Sequence, residues 1–221
     1  MQRWTPDVLA ALDASGISLG AEILASLERY ADLVSLRGKS LNLVSASDAD
    51  RILERHVFDS LTALRLIDWE DRDIVDVGSG AGFPGIPLAI TQPLARFVLV
   101  ERTRKRVAFL MQAIRELGLS NTTAVWSDAE TLARQRGAFA DIVTIRAVAS
   151  TNDALALAAP LLNTTGAALL WQTADQFERE STPTEWIVEW CAVPSLDSVE
   201  RGIRLCRQRT PLGEHAAIFN V

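Results

Sequence analysis

Apolar residues recur along this 221-residue chain at two periods, helical in its first third and strand-like after residue 72. Within residues 5–66, Val8, Leu9 and Leu12 mark a short amphipathic helix. Ile23, Leu27, Tyr30, Leu33 and Val34 fall at three- and four-residue spacings, which predicts a second helix. Ser47 is a candidate N-cap for a third, with Asp48 and Asp50 favouring the positive end of its dipole. Leu53, Val57, Leu61 and Leu64 would form its apolar face. Residues 37–44 lie between these two helices, carry Arg37, Gly38 and Lys39, and read as a turn-rich loop.

Farther on, brief apolar runs alternate with helical patterns. Strands are expected at 74–77, 96–101, 124–126, 141–145 and 166–172, and helices at 103–118, near 129–135 and at 152–162. Two late β-type runs, 186–193 and 203–210, predict an antiparallel hairpin on the sheet edge. Strands alternating with helices and joined by right-handed crossovers specify an α/β fold, a Rossmann-like, doubly wound, mostly parallel sheet. An N-terminal helical extension, residues 1–70, precedes a ligand-binding domain, 71–221.

The densest signal is Ile74-Val75-Asp76-Val77-Gly78-Ser79-Gly80-Ala81-Gly82-Phe83-Pro84-Gly85-Ile86-Pro87. It reads as a buried strand, a glycine turn and a helix start that Pro84 or Pro87 can open. Glycine lets bare backbone approach a ligand, and in open α/β sheets the ligand crevice lies at the strands' carboxyl ends. Gly80, Gly82 and Gly85 satisfy the dinucleotide spacing, with Glu101 about 20 residues beyond, so NAD is admitted. Asp76 tips the choice. A carboxylate facing the crevice disfavours a pyrophosphate and suits the ammonium and sulfonium of S-adenosyl-L-methionine (SAM). A tight turn with no ligand is the bland alternative.

Composition narrows the class. Apolar content of 48% and charged content of 23% are globular values. The net charge of −6 removes any global case for nucleic-acid binding, so such a surface must be a local patch. Cys191 and Cys206 are too few for a disulfide framework, and no metal site is expected. No apolar run reaches the about 18 residues of a membrane span, so a cytoplasmic protein is expected.

Other positions carry candidate chemistry. Glu101 ends the second strand, where a carboxylate can accept both ribose hydroxyls; a salt bridge to the following Arg102–Arg106 run is the alternative. Asp128, Ala129 and Glu130 close the third strand, near where an adenine would lie. Arg146 directly follows an apolar strand, so its head emerges either in the crevice or at the sheet's rim. His56 and Asp59 sit three residues apart on the third helix, as an acid–base pair or as ordinary interhelical hydrogen bonds.

The motif Asp76-x-Gly78-x-Gly80-x-Gly82 resembles the first motif of class I SAM-dependent methyltransferases. Five segments in order then narrow the resemblance: Asn42-Leu43, Arg55–Leu61, Asp76–Ala89, Lys105–Leu110 and Arg146–Ala149. Together they resemble the RsmG (GidB) family, over about residues 28–170. The resemblance implies SAM as cofactor, methylation of N7 of a guanine in 16S ribosomal RNA, and Gly78, Phe83, Ala129, Glu130 and Arg146 as cofactor contacts. Ser79, Gly80, Gly82, Asp76, Glu101, Arg102 and Asp128 complete the expected cofactor set. Asn42, His56, Asp59 and Arg146 are the candidates to hold the guanine or brace the site. No catalytic base is needed, because N7 keeps an exposed lone pair. A monomer is expected, docking on the small ribosomal subunit through Arg102, Arg104, Lys105 and Arg106, with Arg37 and Lys39, and through Arg201, Arg204, Arg207 and Arg209. The chain departs from the family at Val44, at Leu36-Arg37, at Leu170-Trp171-Gln172-Thr173 and in its last residues, all on the substrate side. Two rivals stand beside rRNA methylation: a methyltransferase with another acceptor, and a SAM-binding module without activity.

Overall fold

The computed structural model describes residues 2–45, 47–146 and 150–209, with the side chains of Lys39 and Ser40 outside that description. Helix α1 (Pro6–Ala14) opens on Thr5, whose hydroxyl accepts the Val8 N–H, with proline at the first helical turn. Helix α2 (Ala21–Leu41) runs straight through most of the stretch expected as a loop. Packing explains the difference: Leu27, Tyr30, Ala31 and Val34 are fully buried on its inner face. That burial outweighs the about 1 kcal/mol cost of Gly38 in a helix. Asn42 ends α2 in the left-handed conformation, φ 49°.

Ser47 is not a cap. The Ser45–Asp48 turn closes on itself, Asp48 N–H donating to the Ser45 carbonyl, and the helical run starts farther on. A π-helical turn (Leu53–Val57) leads into α3 (Phe58–Leu61) and a 3₁₀ turn (Thr62–Arg65). The expected apolar face survives, with Leu53, Val57 and Leu61 buried.

Strands β1 (Asp73–Val77), β2 (Arg96–Glu101), β3 (Thr122–Trp126), β4 (Ala140–Arg146) and β5 (Leu162–Thr173) are joined by parallel pairing. The hairpin β6 (Trp186–Val193) and β7 (Arg201–Gln208) adds antiparallel to β5, giving the order β3-β2-β1-β4-β5-β7-β6. Between them run α4 (Gly85–Thr91), α5 (Arg104–Leu117), α6 (Ala129–Arg136) and α7 (Thr151–Ala158). Helix α7 stops four residues short of the expected end, and β5 begins four residues early. Pro160 lacks the N–H that a continuing helix would use.

Alternate residues of β1 enter different layers. Ile74 joins the cluster of Leu27, Val34, Phe58 and Leu88, so the N-terminal helices share one core with that face of the sheet. Val75 and Val77 join Leu132, Ala154 and Leu155 of α6 and α7 on the other face. The strand order reverses between β1 and β4, the switch point where a crevice opens at the strands' carboxyl ends. Among the described residues, no helix is long and apolar enough to cross a membrane.

Candidate active site

The glycine turn closes the carboxyl end of β1 with Gly78 at φ 72°, Gly80 at φ 58° and Gly82 at φ 102°. A side chain at Gly82 would collide with Ile86 and the Tyr30 hydroxyl, so this glycine serves packing and does not reach the cavity. The Tyr30 hydroxyl in turn donates to the Ala81 carbonyl at 2.7 Å, tying α2 to the turn.

The cavity above the turn has a volume of about 540 Å³, within the range of small-molecule sites. Val77, Gly78, Ser79, Gly80 and Phe83 line it from β1 and the turn. Glu101, Arg102 and Arg106 contribute from β2 and α5, Asp128 and Ala129 from the start of α6, and His56 and Arg146 from the far side. The backbone N–H donors of the turn are already engaged. Gly78 and Ser79 both donate to the Val100 carbonyl, Gly80 to Glu101 Oε2 at 3.0 Å and Gly82 to the Ser79 carbonyl. Few amides remain for a pyrophosphate, and the carboxylates of Glu101 and Asp128 line the same space. Such a cavity offers carboxylates to ribose hydroxyls and an ammonium, as SAM presents, and few free amides to a pyrophosphate.

That conclusion agrees with the sequence reading, but its premise does not hold. Asp76 is 1% exposed and lines no cavity. Its Oδ1 accepts the Thr144 hydroxyl at 2.9 Å beneath the turn, and its Oδ2 finds no partner among the described residues. Burial pushes its carboxyl up to about 6. An even-numbered β1 residue points toward the helical layer, and Gly85 leaves room for it there: a Cβ at Gly85 would come within 2.8 Å of Oδ2.

Glu101 is buried at the cavity wall. Its Oε1 accepts the Thr103 N–H at 2.7 Å, while Arg106 stands 3.9 Å from Oε2. Each carboxylate oxygen has a second lone pair, so ribose hydroxyls can still be accepted. Asp128 is the N-cap of α6, accepting the Thr131 N–H, which holds its carboxyl below the usual range. Glu130 turns away to solvent beside Arg134 and lines no cavity, against expectation. Asn42 also stays off the cavity. Its carbonyl accepts from Arg106 at 3.2 Å, so it braces the rim as a helix cap.

Arg146 ends β4 where β1 and β4 diverge. Its guanidinium meets Asp59 at 3.0 Å, His56 Nδ1 at 2.9 Å and the carbonyls of Arg55 and His56 at 3.2 and 3.3 Å. His56 and Asp59 are thus joined through Arg146 rather than directly. Burial and the Arg146 charge push His56 down to about 4, so at neutral pH its Nδ1 accepts and its Nε2 carries the proton. The ring stacks on Phe83 with centroids 5.0 Å apart. Burial raises the Asp59 carboxyl, opposed by Arg146.

Arg146 also lines a second cavity of about 220 Å³ beyond the switch point, with Asp59, Thr151, Trp171, Gln172 and Arg201. The Trp171 indole donates to the Asp59 carbonyl at 2.9 Å. Two cavities on either side of one arginine suit a cofactor and an acceptor.

The hairpin presents only part of the expected basic patch, with Arg209 exposed and Arg207 half-buried. Arg204 is 1% exposed, donating to Gln172, Thr182 and the Phe177 and Glu180 carbonyls. Arg201 is bound to Asp197 and Ser195, and Arg209 donates to the Thr184 carbonyl. Helix α8 (Ala174–Arg179) and its following loop cover Arg204. Sequence reasoning also missed Leu43, Val44, Ser45, Thr103 and Ser127 as cavity residues. Only position at a strand end or loop marks them. Ala147–Ala149 and the expected C-terminal departures lie outside the described residues.

A seven-stranded sheet of this order, with a carboxylate-lined crevice at its switch point, defines a class I SAM-dependent methyltransferase. Solved structures carry the same fold at low identity. Thermus thermophilus TrmN aligns with a TM-score of 0.54 and 20% identity over 69% of this chain and 49% of that one. M. jannaschii TYW2 in complex with AdoMet aligns with a TM-score of 0.54 and 14% identity over 70% of this chain and 76% of that one. The chain matches the GidB model, described as rRNA small subunit methyltransferase G, over residues 23–206, and it belongs to that family. A ribosomal RNA small subunit methyltransferase G of Neisseria meningitidis is 34% identical over 90% of this chain and 97% of its own length. One from Gloeobacter violaceus is 36% identical over 79% and 67%.

Proposed function

We propose that this protein methylates N7 of a guanine in 16S ribosomal RNA, using SAM, and acts on the small ribosomal subunit as a monomer in the cytoplasm. The observation that carries the reading is the pair of cavities sharing Arg146, one fitted to SAM and the other lined by groups that suit a purine nucleotide. Family membership supports the RNA acceptor.

Gly78, Ser79, Gly80 and Phe83 would hold the cofactor from below, Glu101 its ribose, and Asp128, Ala129 and Arg102 its adenine side. When bound, SAM supplies a methyl group on a positively charged sulfur. The protein's own part is positioning. A guanine N7 needs no deprotonation, so what remains is to fix the acceptor in line and keep water out. Arg146 can lie flat against a purine and donate in a fixed plane, because Asp59 and the Arg55 and His56 carbonyls already set its orientation. His56, neutral at pH 7, moves no proton and holds that guanidinium through Nδ1.

The test is mass spectrometry of small-subunit RNA from a strain lacking the gene, with and without a plasmid copy. Loss and recovery of a 7-methylguanine is the expected result; an unchanged 16S methylation pattern overturns the acceptor. Trp171 and Gln172, standing where the family has a leucine-lysine-glycine, keep a methyltransferase of another acceptor as the second reading. Turnover of SAM with purified small subunits decides between them.

A further inference from the structure

Trp126 ends β3, the edge strand of the sheet, and is 54% exposed, the most exposed tryptophan among the described residues. A single exposed indole is ordinary on a protein surface and would be expected to change rotamer freely there. It is nonetheless fixed in place. Its Nε1 donates to the Arg102 carbonyl at 2.8 Å, and the Arg104 guanidinium lies over the ring, 3.9 Å from its centroid. Arg102, Arg104 and Lys105 are all exposed, three cations in four residues on a chain of net charge −6.

The surroundings say what would cover it. Arg102 and Thr103, on one side of Trp126, and Ser127, its chain neighbour, all line the cofactor cavity, while Trp126 itself does not. A polyanion approaching the cavity mouth would meet these cations first. A flat, preorganised indole–guanidinium pair beside them is a surface on which an unpaired base stacks, since every base has a π face. Because the ring is already tethered, little side-chain freedom is lost on stacking. Phosphate contact alone would need the arginines and lysine but no tryptophan.

We propose that Trp126 and Arg104 form a stacking platform for an unpaired RNA base at the β3 rim of the cofactor cavity, with Arg102 and Lys105 on the adjoining phosphates. This rests on the reading that the acceptor is ribosomal RNA. It adds a base-contacting element to what would otherwise be a purely electrostatic patch.

The experiment uses the full chain, a 16S rRNA transcript and purified small subunits, with binding measured over a salt series and SAM affinity measured by calorimetry. Trp126→Ala should weaken RNA binding by about tenfold with the salt slope unchanged, because stacking releases no counterions. Trp126→Phe should retain most of the affinity, and Arg104→Ala should both weaken binding and reduce the slope by about one. All three should bind SAM like the unaltered protein. Unchanged RNA affinity in Trp126→Ala on both RNA forms overturns the platform. So does a parallel loss of SAM affinity, which would make the ring a cofactor wall, or a Phe variant as weak as the Ala one, which would assign the effect to the Arg102 carbonyl bond. Absence of any RNA binding by the unaltered chain also overturns it. Methylation of small subunits by the unaltered chain separates the two readings: if it methylates and Trp126→Ala binds normally, only the platform is wrong.

Discussion

Arg146→Ala should be costly to stability as well as activity. Arg146 and Asp59 are 15% and 13% exposed, so the pair is largely withdrawn from water. Removing the guanidinium strands the Asp59 carboxylate, and breaking one side of a buried pair typically costs about 3–5 kcal/mol. For a chain of this size that is a fall in melting temperature of about 6–20 °C. The expected rescue is specific. Asp59→Asn in the Arg146→Ala background removes the orphaned charge, so the double variant should be more stable than the sum of the singles by about 2 kcal/mol. Arg146→Lys can still neutralise Asp59, yet a single ammonium cannot serve Asp59, His56 Nδ1 and two carbonyls from the guanidinium's fixed plane. It should keep most of the stability and lose at least about tenfold in kcat/KM, about 1.4 kcal/mol. Urea unfolding and methylation of small subunits provide both readouts. An Arg146→Ala variant within about 0.5 kcal/mol of the unaltered protein refutes the buried-pair account; full-rate turnover by Arg146→Lys refutes the positioning role.

Three further outcomes are expected. Glu101→Ala frees the Gly80 and Thr103 N–H groups and should weaken SAM binding by about 1–3 kcal/mol in calorimetry; unchanged affinity would remove Glu101 from the site. His56 is one of two histidines in the chain, so its ring is readily assigned by NMR, and it should titrate near 4 with the proton on Nε2. Unfolded, it protonates near 6.5, so its contribution is present above that value and is lost as pH falls toward 4, and His56→Gln should flatten that part of the acid limb. Asp76 has the opposite sign. Its folded carboxyl is raised from 3.8 to about 6, so the native state holds the extra proton between those values and stability falls as pH rises through them. Asp76→Asn should therefore gain about 3 kcal/mol relative to the unaltered protein between pH 4 and pH 7; a difference independent of pH would show that Asp76 is not held protonated.

Most of the fold could be read from local signals, because each strand and helix repeats one pattern that packing then confirms. Thr103 and Gly118 bound α5 as expected, and the late hairpin pairs antiparallel on β5. The misses arose where tertiary contacts outweighed local grammar. Gly38 and two cations suggested a loop, but Val34 and its neighbours on α2 had a core to enter. Helix α8 was legible and overlooked: Thr173 and Gln176 form a reciprocal capping box. For the site, residue types were recognised more readily than directions. Asp76 belongs to the motif, yet which way its side chain turns depends on the strand's parity and on the space beside Gly85, and a linear spacing rule carries neither. For Arg146 the apolar strand before it left two exits, crevice or rim, and the structure sets its guanidinium between two cavities. Its partners came from the π-helical turn and α3, about 90 residues earlier in the chain, a distance that sequence periodicity does not span.

The departures on the substrate side gain a physical meaning from the second cavity. At the place where the family carries a lysine after the fifth strand, Trp171 and Gln172 are uncharged, and both are committed to internal bonds, Trp171 to the Asp59 carbonyl and Gln172 to Thr151 and Arg204. Positive charge is nevertheless supplied to that cavity by Arg146 and by Arg201 from β7. Arg201 is steadied there by Asp197 and Ser195. An anionic nucleotide would therefore still meet two guanidinium groups, now beside an indole instead of an ammonium. Both guanidinium groups already balance carboxylates, Arg146 that of Asp59 and Arg201 that of Asp197, so either kind of acceptor leaves their charge compensated. In place of the family's lysine the cavity thus has two guanidinium groups held in fixed planes, which give directed hydrogen bonds where an ammonium would give a mobile point charge.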